Sequence, residues 1–536
     1  MKSRTTPAIV SIWVILHSTA LAANLSFIES AGAWRLTEPL KGIMSHAAAC
    51  GDLDGDGDLD LYVGNFCDRP PEKYLGVGAP VPNMLLLNEG GRFTKSDQPQ
   101  LAIEARTSGA VFADFDNDGD LDLYVSNNSK SKGLRVANAL FENVDGRLRR
   151  VADNSDAQVI MGGRSVAVLD YDGDTLLDML VAEDKWTGRR TRLLRNTGDL
   201  SFEDVSKKVG LPTDLPGLGV ITPDLNDDGR PDIFIGQCNR LFFSNAHATY
   251  TEGDSSVFQY EPINNEATPC GVACGDLNRD GLTDIVIVDH SQPARQHLYI
   301  NLGLRDGAPR FKDVTARAGL DYRFPSWTPD KLHLKHAHVE IADFDNDGWP
   351  DIFPAATYLE ADTTRPFICR NTTASLSPLK EHGVTIPRFD VPPVQQANSY
   401  FAAGPVADYD RDGRLDMFLA SWWPQIPSKL FLNRSDSNHW LDVKVSGKTI
   451  NRMGIGAKIK LYPPGALGRP DKLIGCQQIA ISQGFCSGHQ AITHFGLAHL
   501  TKCDIEITLP FNKATIRRKN VQANRLLIIE EPPARN

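Results

Sequence analysis

Along the chain a run of small and apolar residues repeatedly gives way to an acidic, glycine-containing loop, then to alternating apolar and polar positions. "GAVFAD" and "GVACGD" illustrate the first part, "LDLYVGN" and "PDIFIGQ" the last. Alternation with period two places every second side chain on one face, the pattern of a half-buried strand. A third apolar segment with turn residues follows, as in "NMLLLNEGGRF", "ALFENVDGRL" and "RLLRNTGDLSF". The acidic loops begin at Asp52, Asp114, Asp170, Asp224, Asp276, Asp343 and Asp408, in steps of 62, 56, 54, 52, 67 and 65 residues. A recurrent period of this size with several strands per unit predicts an all-β, seven-bladed β-propeller, which protects its sheet edges by radial closure.

The loops read as oxygen ligands for calcium. Side chains at positions 1, 3, 5 and 9, with a backbone carbonyl at 7, suit a hard cation that takes six to eight oxygens. The candidate ligands are Asp52, Asp54, Asp56, Asp58 and Asp60 in the first loop and Asp114, Asp116, Asp118, Asp120 and Asp122 in the second. Asp170, Asp172, Asp174 and Asp178 follow, then Asp224, Asn226, Asp228 and Asp232. The last three loops offer Asp276, Asn278, Asp280 and Asp284; Asp343, Asp345, Asp347 and Asp351; and Asp408, Asp410, Asp412 and Asp416. Glycine at position 6 permits the tight turn. Position 12 is apolar or proline, where an EF-hand carries glutamate, so each loop feeds a strand and these are calcium-bound hairpins. A linear calcium β-roll is excluded, because it repeats every nine or so residues. Thr175 at position 6 of the third loop, and Asn226 and Asn278 at position 3 of the fourth and fifth, predict weaker sites there, with the third open to complete loss. Up to seven calcium ions are expected, structural in role, since clustered carboxylates without them repel.

These loops resemble FG-GAP/VCBS repeats, the blades of integrin-α-like propellers. The stretch from Asn438 onward resembles the ASPIC/UnbV domain, through Asn451-Arg452, Gly454 to Ala457, "HFGLA" at His494 to Ala498, and Leu509-Pro510. Together the two cover nearly the whole mature chain and identify a homologue of the cartilage acidic protein family. The expected organisation is a signal peptide at 1–22, a propeller at 23–437 and a small β-rich domain at 438–536. The resemblance does not name an activity, because the fold serves adhesion and enzymes alike.

The first 22 residues carry Lys2 and Arg4, an apolar run and Ala20-Leu21-Ala22, the pattern of a secretory leader. Export is therefore expected, to the medium or a periplasm. No segment reaches the roughly 20 apolar residues of a membrane span. The nine cysteines fit an oxidising compartment; Cys270 with Cys274 and Cys476 with Cys486 are near enough in sequence to pair, while the odd count leaves at least one thiol free or paired between chains. Asn24, Asn127, Asn371 and Asn433 sit in N-x-S/T sequons.

Net charge is −11, or −13 without the leader, so seven calcium ions would nearly neutralise the chain. Residues 438–536 hold 14 Lys and Arg against 6 Asp and Glu, leaving −21 on the propeller. A basic domain docked beside an acidic one accounts for the asymmetry; a polyanion site at Arg517, Arg518 and Lys519 is the weaker alternative. Nucleic-acid binding is not expected of an acidic exported chain without a basic stripe.

The position six residues before each first aspartate should lie on the innermost strand, near the axis. It reads His46, Ser108, Arg164, Leu218, Cys270, Ala337 and Ala402. Beside it in the sixth unit, His336, His338 and Glu340 share one face if the segment is a strand. Three roles compete: hydrogen-bonded lining of a wet channel; an acid–base site with His46 and Arg164 orienting substrate; and a transition-metal site, with His333 as a further ligand. Trp422 and Trp423 are candidates for an aromatic wall or for packing between blades. No G-x-S-x-G, H-E-x-x-H, P-loop or dinucleotide fingerprint is present. Two functions follow. One is extracellular binding of a protein or glycan through blade loops; the other is a cyclase, isomerase or lyase acting on a small-molecule substrate at the axis. A pocket lined by these side chains favours the enzyme, a plugged axis and an apolar rim the binder.

Overall fold

The computed structural model describes residues 25–533 except 75–76, 130–132, 263–267, 291–293, 306, 324–334, 395–396, 399–400 and 437. The leader, Asn24 and His333 lie outside the described residues. The fold is all-β, its helical segments confined to short 3-10 turns. Each acidic loop joins two antiparallel strands: Ser45–Gly51 to Asp60–Asn65 around the first, Thr107–Ala113 to Asp122–Asn127 around the second, Gly163–Leu169 to Asp178–Glu183 around the third. The pattern continues through Gly217–Ile221 with Ile233–Gln237, Pro269–Gly275 with Asp284–Asp289, Glu340–Ala342 with Asp351–Phe353, and Val406–Ala407 with Asp416–Ser421. The first five units each contain a consecutive four-stranded meander. In the last unit Phe27–Glu29, from the start of the described chain, pairs with Lys429–Asn433 and supplies the outer strand.

The innermost strands of the first six units pack one against the next, and the seventh unit meets the first through Phe401–Ala403 against Ser45–Gly51. Six of the seven carry a register shift at or beside the position six residues before the loop, for example between Ser45 and Ala47 and between Gly163 and Val166. A bulge turns a side chain out of the regular alternation. Here it delivers one residue per unit toward the axis.

The ninth-position aspartates do something the motif alone does not reveal. Both oxygens of each accept backbone N–H groups: Asp60 from Leu53 (3.1 Å) and Asn88 (2.9 Å), Asp416 from Tyr409 (2.9 Å) and Asn433 (2.7 Å), and likewise in the other five units. Each one staples its loop to the end of the third strand. In five units the asparagine there then reaches back to the preceding unit: Asn143 donates to the Leu53 carbonyl, Asn196 to Phe115, Asn301 to Leu225, Asn371 to Leu277 and Asn433 to Phe344. Ser244 is too short for this in the fourth. The sequons at Asn127, Asn371 and Asn433 are therefore buried, with their amides engaged, and offer no acceptor in the folded chain.

Beyond the repeats, His439–Ser446 pairs with Thr493–Ala498 and Leu526–Glu530, while Lys458–Tyr462 lies between Gly475–Gln478 and Lys502–Thr508, with Thr515–Gln522 at the edge. Their shared core of Leu441, Val443, Ile459, Leu461, Ile505 and Ile507 runs on into Val111, Phe115 and Val168 of the second and third units. Arg517 pairs with Glu506 at 2.7 Å on the outer strand.

All nine cysteines are free thiols. The expected Cys270–Cys274 pair fails for a geometric reason. Both lie on Pro269–Gly275, where four residues of strand separate their Cα atoms by about 13 Å, beyond disulfide reach. Cys476 lies on the Gly475–Gln478 strand and Cys486 in the segment described next.

Candidate functional site

Two constellations stand out. The first is the set of loops. Three carboxylates converge at Asp52/Asp54/Asp56, Asp114/Asp116/Asp118, Asp170/Asp172/Asp178, Asp343/Asp345/Asp347 and Asp408/Asp410/Asp416, with ligand atoms in each group within 4.8 Å of one another. Oδ1 of Asp52, Asp114 and Asp410 is buried with no hydrogen-bond partner. Burial, then the neighbouring Asp345 carboxylate, pushes Asp347 up to about 7, and burial is likewise the main cause that takes Asp114 to about 6. Crowded, oxygen-only donors fit a hard cation. Thr175 holds the same left-handed turn as the glycines, at φ 82°, and the third loop keeps its carboxylate cluster. Among the described residues the fourth and fifth loops gather no such trio. In the fourth the buried Lys458 ammonium reaches in, 3.4 Å from Asp224 and 2.6 Å from Asp227.

The second constellation is the axis. Leu218, Cys270, Ala337 and Ala402 form one buried cluster with Phe485 and Cys486 of the C-terminal region. Those last two belong to a segment that crosses the ring. Gly484 exchanges backbone hydrogen bonds with Val272 at 2.7 and 3.0 Å, Cys486 accepts from the Ala48 amide, and Ser487–Gly488 runs parallel to the first inner strand. The Cys486 amide donates to Ser165 Oγ (2.9 Å) and Ser487 Oγ accepts from Gly404 (3.0 Å). Gly484 adopts φ +71°, and a Cβ there would lie 2.3 Å from the His338 ring. Only glycine lets the crossing strand come this close.

His336, His338 and Glu340 separate. The strand begins only at Glu340, so the expected alternation does not hold and His336 turns away to the Pro354 carbonyl (3.0 Å). His338 Nδ1 accepts from the Phe485 amide (2.9 Å), and its Nε2 lies 2.6 Å from Glu340. The same Glu340 oxygen is 2.7 Å from His489 Nε2. His338 and Glu340 are buried, and His489 largely so, in the contact between the crossing segment and the ring. Burial opposes ionisation of Glu340, but His489 and His338 overcome it and bring the carboxyl down to about 2. Burial opposes the His489 cation as well, and Glu340 nonetheless holds its pKa above the ordinary value.

A pH dependence follows. Glu340, depressed when folded, contributes stability above the ordinary carboxyl range that disappears as pH falls toward 2. His489, raised when folded, contributes below about pH 6.5 and loses its contribution as pH rises through its folded value. The crossing segment is therefore held best between about pH 4.5 and 6.5. Amide exchange at 484–488, corrected for intrinsic rates, should be faster near pH 8.5 than near pH 6. A His489→Asn variant should show no such difference; equal rates in the parent would refute the pairing.

On one side of the crossing segment a cavity of about 280 Å³ remains. His46, Arg164, Leu218 and Cys270 from the axial ring line it, joined by Arg69, Arg106, His290 and Lys335. Its apolar surface comes from Phe66, Trp186, Trp422, Trp423 and Phe485. Arg164 is locked to Asp184 at 2.5 Å and donates to Ser108 (3.0 Å); Arg106 grips both Asp68 oxygens at 2.9 Å. Burial and then the Arg164 charge hold His46 well below the ordinary range, and burial and Lys335 take His290 to about 3, so both rings are neutral. His46 stacks on Phe66 with ring centres 4.6 Å apart and meets Trp422 edge-on at 4.7 Å.

Sequence reasoning expected His46 and Arg164 at the axis and left Trp422 and Trp423 between an aromatic wall and packing between blades, but it missed Arg69, Arg106, His290 and Lys335, which lie outside the repeated positions. It also missed the crossing segment. The only signal for it is "SQGFCSGHQ", a run of small residues interrupting the alternation of the C-terminal strands.

The model of the FG-GAP-like repeat matches residues 52–125, 170–235 and 276–353, and that of ASPIC and UnbV matches 447–536. Cartilage acidic protein 1 of Mus musculus is 25% identical over 507 residues, spanning 88% of this chain and 72% of its own. The Homo sapiens protein of the same name is 25% identical over 509 residues, spanning 88% and 70%. A solved rhamnogalacturonan lyase, YesW, is similar over 72% of this chain and 71% of its own at 11% identity and a TM-score of 0.38. No helix among the described residues is long and apolar enough to cross a membrane. The chain is an FG-GAP-repeat and ASPIC/UnbV protein, homologous to cartilage acidic protein 1 over most of its length.

Proposed function

We propose that this chain is an exported, calcium-braced binding protein: a seven-bladed propeller whose axis is closed by its own C-terminal domain, leaving a blind pocket at one mouth as the ligand site. The crossing of the ring by Gly484–Gly488 carries the reading. It takes His338 and Glu340 into a buried contact, away from the cavity, and leaves a pocket with tryptophans at its rim. Calcium would be held by the five aspartate trios, where it neutralises carboxylates that face one another. The basic and apolar leader, and relatives named for cartilage, a tissue built of extracellular matrix, agree with export. The catalytic alternative loses support because none of His336, His338 and Glu340 lines the cavity.

The test is binding of the calcium-loaded full chain to arrays of extracellular-matrix proteins and glycans. Saturable binding that chelation abolishes is expected. Silence on both arrays, together with turnover of a small metabolite that His338→Ala removes, would overturn the reading.

A further inference from the structure

Among the described residues, Arg69 and Lys335 have no carboxylate within ion-pair distance, whereas Arg106 and Arg164 are each matched by an aspartate. Among the described residues the cavity thus carries two cations without an ion partner, in a chain that is acidic overall. Partly desolvated positive charge of this kind favours an anion. Three donors on the lining residues, Arg69 Nε, Arg106 Nε and Trp423 Nε1, are buried without an acceptor among the described residues. An orphaned buried donor is costly unless a ligand or water completes it. Arg69 also lies over Trp422, 5.5 Å from the ring centre, so charge and aromatic surface are presented together. A volume of about 280 Å³ is at the low end for ligand pockets and admits one ring rather than an oligomer.

We propose that the pocket binds a single acidic sugar residue, a pyranose bearing a carboxylate such as the end of a uronic-acid-containing glycan. Its carboxylate is matched to Arg69 and Lys335, its C–H face to Trp186, Trp422 and Trp423, and its hydroxyl and ring oxygens to the orphaned donors. A flat aromatic acid would supply the charge but not the additional acceptors. The assignment rests on the pocket being the binding site proposed above and names its ligand class.

Calorimetric titration of the calcium-loaded full chain with methyl β-glucuronide, methyl β-glucoside and cyclohexanecarboxylate tests it. Only the glucuronide should bind well, and added salt should weaken it. Lys335→Gln and Arg69→Gln should each weaken it about ten-fold; Lys335 is only partly buried, so its variant remains informative if Arg69→Gln folds poorly. Equal binding of the neutral glucoside, equal binding of cyclohexanecarboxylate, or no binding of the glucuronide would overturn the assignment. The two proposals fail separately. Array binding that persists unchanged in Lys335→Gln removes the acidic-sugar assignment and leaves the binding function, whereas loss of all array binding in the parent removes the function itself.

Discussion

Chelation of calcium should lower the melting midpoint of the full chain by roughly 10 °C or more. Each site filled at a hundred-fold excess over its dissociation constant adds about 2.7 kcal/mol, and the five aspartate trios act together. In a protein of this size several such contributions translate into roughly that shift. The physical origin is visible at the sixth loop, where Asp343, Asp345 and Asp347 converge and the pKa values of Asp343 and Asp347 are raised by burial and then by their neighbours. Without a cation these groups must repel or take up protons. Asp345→Asn should reproduce part of the loss and reduce the response to chelator, while Asp224→Asn, in the loop entered by Lys458, should leave the calcium response nearly unchanged. An unaltered midpoint in chelator would contradict the calcium assignment.

The second large effect is expected at the axis. Gly484→Ala places a methyl group 2.3 Å from the His338 ring and 2.6 Å from the Val339 carbonyl, at a φ of +71° that alanine resists. The crossing segment has to move, and with it go the Phe485 and Ser487 contacts of His338 and the pairing of His489 with Glu340. A loss of about 3 kcal/mol is expected, together with rapid exchange at 484–488. Gly465→Ala is the control. Its φ is +81° but nothing lies within 4 Å, so it should cost only about 1 kcal/mol. Similar losses in the two variants would mean that the axis is not closed in this way.

Much of this architecture is legible in the chain, because the repeat writes the same local rule seven times. Counting back six residues from each aspartate finds His46, Arg164, Leu218 and Cys270 at one cavity, since the units that carry them turn their inner strands with the same bulge. The failures have physical causes as well. His336, His338 and Glu340 were expected on one face, but only Glu340 is in a strand, and what orders His338 is a segment almost 150 residues away. Contacts of that separation leave no trace in local periodicity. The ninth-position aspartates read as ligands from their spacing, yet their oxygens also brace the backbone. Arg69 and Lys335 sit outside the repeated positions, so nothing in the pattern marks them.

The most direct test of the account is the calcium content of the purified full chain after dialysis against trace-metal-free buffer. Five ions per chain are expected, one for each aspartate trio, falling by one in Asp345→Asn and unchanged in Asp224→Asn. A chain that retains no calcium, or one whose content is indifferent to Asp345, would contradict it.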